Sequence, residues 1–311
     1  MSTAFFSHPD CERHEMGDAH PESPERLVAI REMLERSGLD QQLQHNTPEE
    51  AAHDQLRLAH PEGYIQQLIQ MAPKKGRIMA DPDTMMMPHT LRAARLAAGA
   101  GVQAVDQVVT GQARNAFCAV RPPGHHAERN TTMGFCFFNN IAVAALHALN
   151  FHNLERVAII DFDVHQGNGT VDIFRGDPRV LFCSSFQHPF FPNRGCYNEP
   201  ENIVNIPLPA GTGSKDYRKA VEARWSEALR EFQPQLILVS AGFDAHEQDP
   251  LAEFELTAED FTWITDLITS LAKELCRGRV VSMLEGGYHL LALPEGVEAH
   301  LKGLLEAGRN R

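Results

Sequence analysis

The 311-residue sequence predicts an α/β protein with a central parallel sheet flanked by helices. Three observations point there. Short apolar runs at 116–120, 157–160, 180–183, 236–239 and 280–284 have the length and β-branched content of buried strands. Each run ends in polar or glycine-rich residues, and helical stretches lie between them, notably 214–232 and 257–276, each opened by a hydroxyl residue suited to capping. No repeat or low-complexity tract competes with this reading. Loops that follow the carboxyl ends of parallel strands share one edge, where α/β proteins bind ligands. His125, His126, Asp163, His165, Asp244 and Tyr288 are therefore expected to face one crevice.

In chain order, an N-terminal apolar run predicts a strand, followed by a polar loop over 11–17. Ser23-Pro24 opens a helix whose apolar face is Leu27, Ile30, Met33 and Leu34, and Gly38 ends it. A second helical stretch runs through His60-Pro61-Glu62-Gly63-Tyr64. Residues 73–88 read as loop, because Pro73, Gly76, Pro82 and Pro88 punctuate them, and Met85-Met86-Met87 reads as core filler. A long helix rich in Ala and Gly over 90–109 is expected to pack closely on its neighbours.

Length alone would allow two domains, but no linker interrupts the chain, so 1–311 is read as one domain. The 43% hydrophobic and 22% charged content is that of a globular protein. No apolar stretch is long enough to span a membrane, and the start shows no secretory signal pattern. Six scattered cysteines without a C-x-x-C pair read as free thiols of a reducing compartment, hence a cytoplasmic protein. The net charge of −13 argues against nucleic acid as a partner and suits a cationic substrate.

The chemistry concentrates in Asp161-Phe162-Asp163-Val164-His165-Gln166-Gly167-Asn168-Gly169. Alternation along an extended chain projects Asp161, Asp163 and His165 to one side, an oxygen and nitrogen donor set for a divalent cation. A catalytic zinc keeps three protein ligands and an open position, and Asp163, His165 and Asp244 supply three; iron(II) accepts the same set. The adjacent imidazoles of His125 and His126 suit proton transfer, with Asp161 and Asn168 as their orienting partners. The charged Asp raises the basicity of its histidine more than the neutral Asn does, which separates acid from base. Tyr288, on a turn expected to be mobile after Gly286-Gly287, can donate to a carbonyl oxygen that gains charge.

Together these residues resemble the histone deacetylase family. The resemblance rests on His20-Pro21-Glu22-Ser23-Pro24-Glu25-Arg26, Arg121-Pro122-Pro123-Gly124-His125-His126, Met133-Gly134-Phe135-Cys136, Asp161-Phe162-Asp163-Val164-His165, Ser240-Ala241-Gly242-Phe243-Asp244 and Glu285-Gly286-Gly287-Tyr288, in family order over nearly the whole chain. The class II deacetylases and their bacterial relatives, acetylpolyamine amidohydrolases among them, are the branch it is most similar to; Asn168, where another branch has Asp, fits that side, while Gln166 replaces a frequent His. It implies the arginase-deacetylase fold, zinc at Asp163, His165 and Asp244, a base at His126, an electrostatic partner or acid at His125 and a carbonyl-polarising Tyr288. It further implies aromatic tunnel walls at Phe135 and Phe191 beside Gly134, a rim residue at Asp83, and a structural potassium ion held by Asp161, Asp163, His165, Ser184 and Ser185. A second potassium site is not expected, because the loop 193–202 lacks the glycine-rich pattern.

The expected activity is removal of acetyl or other acyl groups from amines, from an acylated lysine peptide or a small acylated amine. Leu251 decides between them. The resemblance places a glutamate there in the polyamine-selective enzyme, which attracts a distal ammonium; a leucine offers an apolar wall instead. A dimetal ureohydrolase of the same fold would need further Asp and His ligands around the metal stretch. A non-catalytic acyl-lysine binder would not need the complete set of ligands, histidine pair and tyrosine.

Overall fold

The run at residues 157–161 is buried on both faces and becomes an interior strand of an eight-stranded, wholly parallel sheet. The structure, a computed structural model, describes residues 2–194 and 199–309. Its strands are β1 (Thr3–Phe6), β2 (Leu43–Asn46), β3 (Ile78–Asp81), β4 (Thr84–Met86), β5 (Asn115–Cys118), β6 (Val157–Asp161), β7 (Val180–Gln187), β8 (Ile203–Leu208), β9 (Leu236–Ala241) and β10 (Val280–Leu284). The sheet order is β2-β1-β5-β10-β9-β6-β7-β8, with β3 and β4 apart as an antiparallel hairpin.

The α-helices among the described residues are α1 (Glu25–Ser37), α2 (His53–Ala59), α3 (Glu62–Met71), α4 (Thr90–Thr110), α5 (Asn140–Phe151), α6 (Asn168–Phe174), α7 (Ser214–Phe232), α8 (Ala258–Leu275) and α9 (Ala292–Arg309). Two successive residues of β10 show how they divide. Ser282 bonds His300 of α9 at 2.8 Å, while Met283 lies under Gly101 of α4. Side chains alternate faces along a strand, so α4 and α9 cover opposite faces. α4 packs on α5, and α9 packs on α8 and α1. Gly99 of α4 lies against the backbone of residues 49–51, the close packing expected of that helix.

The elements depart from expectation in four places. Pro24, not Ser23, holds the N-cap position of α1, with no side-chain cap. Residues 73–88 are not all loop: β3 and β4 pair around a two-residue turn, Pro82-Asp83, so the proline marks the turn. The helical stretch near residue 60 is two helices, because Pro61 forces the preceding His60 into an extended conformation. Ser214 does not cap α7; Gly213 holds that position, and the Ser214 hydroxyl donates to Asp260 of α8 at 2.8 Å. Thr257 does cap α8, in a capping box with Asp260.

The five described cysteines are free and buried; Cys196 lies outside the described residues, as does part of the stretch that bears on a second potassium site. No described helix is long and apolar enough to cross a membrane.

Candidate active site

β6, β9 and β10 lie side by side, so the loops after them emerge together. The loop after β6 supplies Asp163 and His165, and the loop after β9 supplies Asp244. His165 Nδ1 lies 3.1 Å from Asp163 Oδ1 and 3.1 Å from Asp244 Oδ2, with all three residues buried. Backbone amides orient both carboxylates: Gly286 donates to Asp163 Oδ2 at 2.8 Å, and Val164 to Asp244 Oδ1 at 2.9 Å. The carboxylates fit only because two neighbours lack side chains. A Cβ on Gly242 would overlap Asp163, and one on Gly286 would overlap both carboxylates. Burial works against a charge on His165, yet its hydrogen bonds to Asp163 and Asp244 raise it to about 10. Two buried carboxylates thus draw positive charge to this point, and a divalent cation answers that demand as a proton does.

Asp161 belongs to a different task from the one its position in the run implies. β6 ends at Asp161, so strand alternation does not extend to residues 163 and 165. Its Oδ1 accepts the Asp163 amide at 3.1 Å, and its Oδ2 lies 2.9 Å from His125 Nδ1. His126 Nδ1 lies 2.7 Å from Asn168 Oδ1. The Asn168 amide donates from Nδ2 to Glu128 Oε1 at 2.9 Å, and a carboxylate only accepts, so Asn168 turns its oxygen toward His126. His126 therefore carries its proton on Nδ1 and leaves Nε2 as a lone pair. The charges agree. Burial opposes protonation of His125, but Asp161, Asp163 and Glu285 raise it well above the usual imidazole range. Burial, then the positive charges of His125 and His165, lower His126 well below that range.

A cavity of about 220 Å³ opens above these groups. It gathers all the expected substrate-side residues: Asp83, Gly134, Phe135, Phe191 and Leu251, with His126, His165 and Tyr288. Phe191 meets the His126 ring edge-on at 5.1 Å, and Phe135 meets the Tyr288 ring edge-on at 6.0 Å. Phe135 sits at φ +70 directly after Gly134 at φ +55, a left-handed pair that Asp83 Oδ1 and Thr84 Oγ1 hold by accepting their amides at 3.1 Å each. Asp83 thus anchors the wall from the β3–β4 turn. Ser184 pairs with Asp161 across β6 and β7, and its buried hydroxyl has no hydrogen-bond partner among the described residues. The Ser185 hydroxyl is engaged by Tyr217 at 2.9 Å.

The fold adds other participants. Phe190 lines the cavity and stacks on His165 at 5.5 Å; beyond the end of β7, two successive aromatics both reach it. Glu285 accepts the amides of Gly124 and His125 at 2.7 and 3.1 Å, which fixes the histidine turn. The Tyr288 turn is not loose, as two glycines suggest. Arg26 donates to the Gly287 carbonyl at 2.7 Å and stacks its guanidinium 5.0 Å from the Tyr288 ring centre. Glu22, buried between Arg26 and Arg121, accepts hydrogen bonds from both. The family motifs contain Glu22, Arg26, Arg121 and Glu285, but only the fold brings them together.

A parallel α/β sheet whose strand-end loops join two carboxylates, three imidazoles and a tyrosine under an aromatic cavity defines an α/β protein with a ligand crevice at the carboxyl ends of its strands. Residues 20–304 match the histone deacetylase domain. A histone deacetylase-like amidohydrolase of Pseudomonas aeruginosa is 38% identical over 284 residues, covering 88% of this chain and 74% of that protein. The human polyamine deacetylase HDAC10 is 37% identical over 327 residues, covering 98% of this chain and 48% of that protein. The crystal structure of the HDA15 HD domain superposes with a TM-score of 0.91 at 33% identity, over 98% of this chain and 89% of that one. The chain belongs to the histone deacetylase family, a family of deacetylases and amidohydrolases.

Proposed function

We propose that the protein is a metal-dependent deacetylase that hydrolyses the amide of an acylated amine and prefers acyl-lysine side chains, with 1–311 acting as one catalytic domain. The observation that carries this reading is the Asp163–His165–Asp244 cluster at the foot of a cavity that also holds His126 and Tyr288. The donor set fits zinc, and iron(II) as well. When bound, such an ion supplies Lewis-acid polarisation of the acyl carbonyl and lowers the pKa of water. His126 Nε2 takes the proton of the attacking water and is placed to hand it to the leaving nitrogen. His125, paired with Asp161, holds positive charge beside the developing oxyanion. The Tyr288 hydroxyl, kept protonated by burial, donates to that oxyanion.

A structural potassium ion would lie beside Asp161, where the Ser184 hydroxyl has no hydrogen-bond partner among the described residues. Asp161, Asp163, His165 and Ser185 would contribute the remaining oxygens, several of them from the backbone. Free, buried cysteines are in keeping with a cytoplasmic location.

The apolar cavity and Leu251 favour an uncharged alkyl stem. A polyamine substrate is the second reading, favoured by the human relative's name. The net charge of −13 could attract polyamines, but such a field is screened within about 8 Å at physiological salt, so the residue in the wall decides. Hydrolysis of acetyl-lysine peptides and of N8-type acetylspermidine, each with and without chelator, tests both. Chelator-sensitive turnover with the higher kcat/KM on the peptide is expected. A tenfold preference for the polyamine, about 1.4 kcal/mol in transition-state binding, would reverse the substrate assignment.

A further inference from the structure

Asp249 follows Asp244 on the loop after β9, and none of the chemistry above uses it. It is buried, at 6% exposure, and both carboxylate oxygens are committed. Oδ1 accepts the Leu251 amide at 3.0 Å; Oδ2 accepts the amides of Tyr288 at 2.7 Å and His289 at 3.3 Å. One side chain thus ties the loop that carries a cavity wall to the loop that carries the tyrosine.

The tyrosine needs such a tie. It follows Gly287 at φ +116, where no side chain restrains the backbone. Arg26 grips the turn through the Gly287 carbonyl, and Asp249 grips it through the next amide. An oxyanion donor must be held within about 0.5 Å of its productive position, and a shift of about 1 Å can cost on the order of 10²-fold in rate.

We infer that Asp249 is a positioning residue, which sets the Tyr288 hydroxyl by fixing its backbone and couples it to the Leu251 wall. The inference rests on the role proposed above for Tyr288, and a double-mutant cycle separates the two. Turnover of an acetyl-lysine peptide, metal content and melting temperature are measured for the metal-loaded full chain, Asp249→Ala, Tyr288→Phe and the double variant. Asp249→Ala is expected to lower kcat on the order of 10- to 100-fold at unchanged metal content. In the Tyr288→Phe background the same change should cost less than about threefold, because the group it positions is gone. Any KM change from the loosened Leu251 wall should persist equally in both backgrounds.

Full additivity in kcat, loss of metal, or no effect of Asp249→Ala would overturn the inference. If Tyr288→Phe keeps turnover, the Tyr288 assignment falls and this inference falls with it; if Tyr288→Phe loses turnover and the cycle is additive, only this inference falls. Should Asp249→Ala fail to fold, Asp249→Asn carries the test. Its amide oxygen can still accept from Tyr288 and His289 while its NH₂ opposes the Leu251 amide, so a smaller kcat loss is expected, and again only when Tyr288 is present.

Discussion

Asp106 of α4, with the buried His147 of α5 and His152 just after that helix, brings together the same residue types as Asp163, His165 and Asp244 at the strand ends. Their surroundings differ. Between α4 and α5, one carboxylate oxygen, Asp106 Oδ1, meets both imidazoles at 2.7 and 2.6 Å. That side chain is half exposed, and two imidazole donors satisfy a single acid. In the crevice the ratio is reversed: two buried acids face one imidazole, with Asp161 and Glu285 close behind. The lesson is that residue type alone does not make a metal centre. A surplus of buried negative charge, already oriented by backbone amides, is what would draw a cation, because leaving it uncompensated costs several kcal/mol per ion.

The largest expected effect breaks the buried cluster. Asp244→Ala should abolish tight metal binding and turnover together, checked by elemental analysis and a peptide assay; Asp106→Ala should leave both intact. Next, Tyr288→Phe should keep metal and fold but lose on the order of 10²–10³ in kcat. Near-normal turnover would make Tyr288 a packing residue.

A third effect concerns stability and acid. Burial lowers His14 and His300 to about 3 and His60 to about 4, so the folded chain holds them neutral. The unfolded chain protonates them near about pH 6.5 and binds more protons below it. Their contribution is complete above that pH and is lost as pH falls toward the folded values. For each group the slope is about 1.4 kcal/mol per pH unit. His300, bonded to Thr265 and Ser282 at 2.7 and 2.8 Å, isolates one such group. His300→Gln should flatten the fall of denaturation midpoint between pH 6 and 4, in an about one-proton step. An unchanged slope would remove His300 from the account. The smallest effect is that of Asp106→Ala on stability, expected to be about 1 kcal/mol, because Asp106 is half exposed although it partners the buried His147.

Much of this was legible in the sequence, because parallel strands force their following loops onto one edge. That rule alone places His125, His126, Asp163, His165, Asp244 and Tyr288 in one crevice. What it could not supply was the partner of each group at long separation. Glu285 meets Gly124 across 161 residues and Asp249 meets Tyr288 across 39, and no local pattern encodes either pairing. The β3–β4 hairpin was hidden for a different reason: Pro82 reads as a breaker although it makes the turn.

The most direct measurement is a metal titration of the stripped protein, followed at once by turnover of an acetyl-lysine peptide and by bound-metal analysis. The expected result is that activity rises linearly and saturates at one equivalent, alike in the parent and in Asp106→Ala, with none bound or recovered in Asp244→Ala. Turnover that survives full stripping, or a first equivalent whose binding depends on Asp106 rather than Asp244, would contradict the assignment of the strand-end cluster as the metal centre.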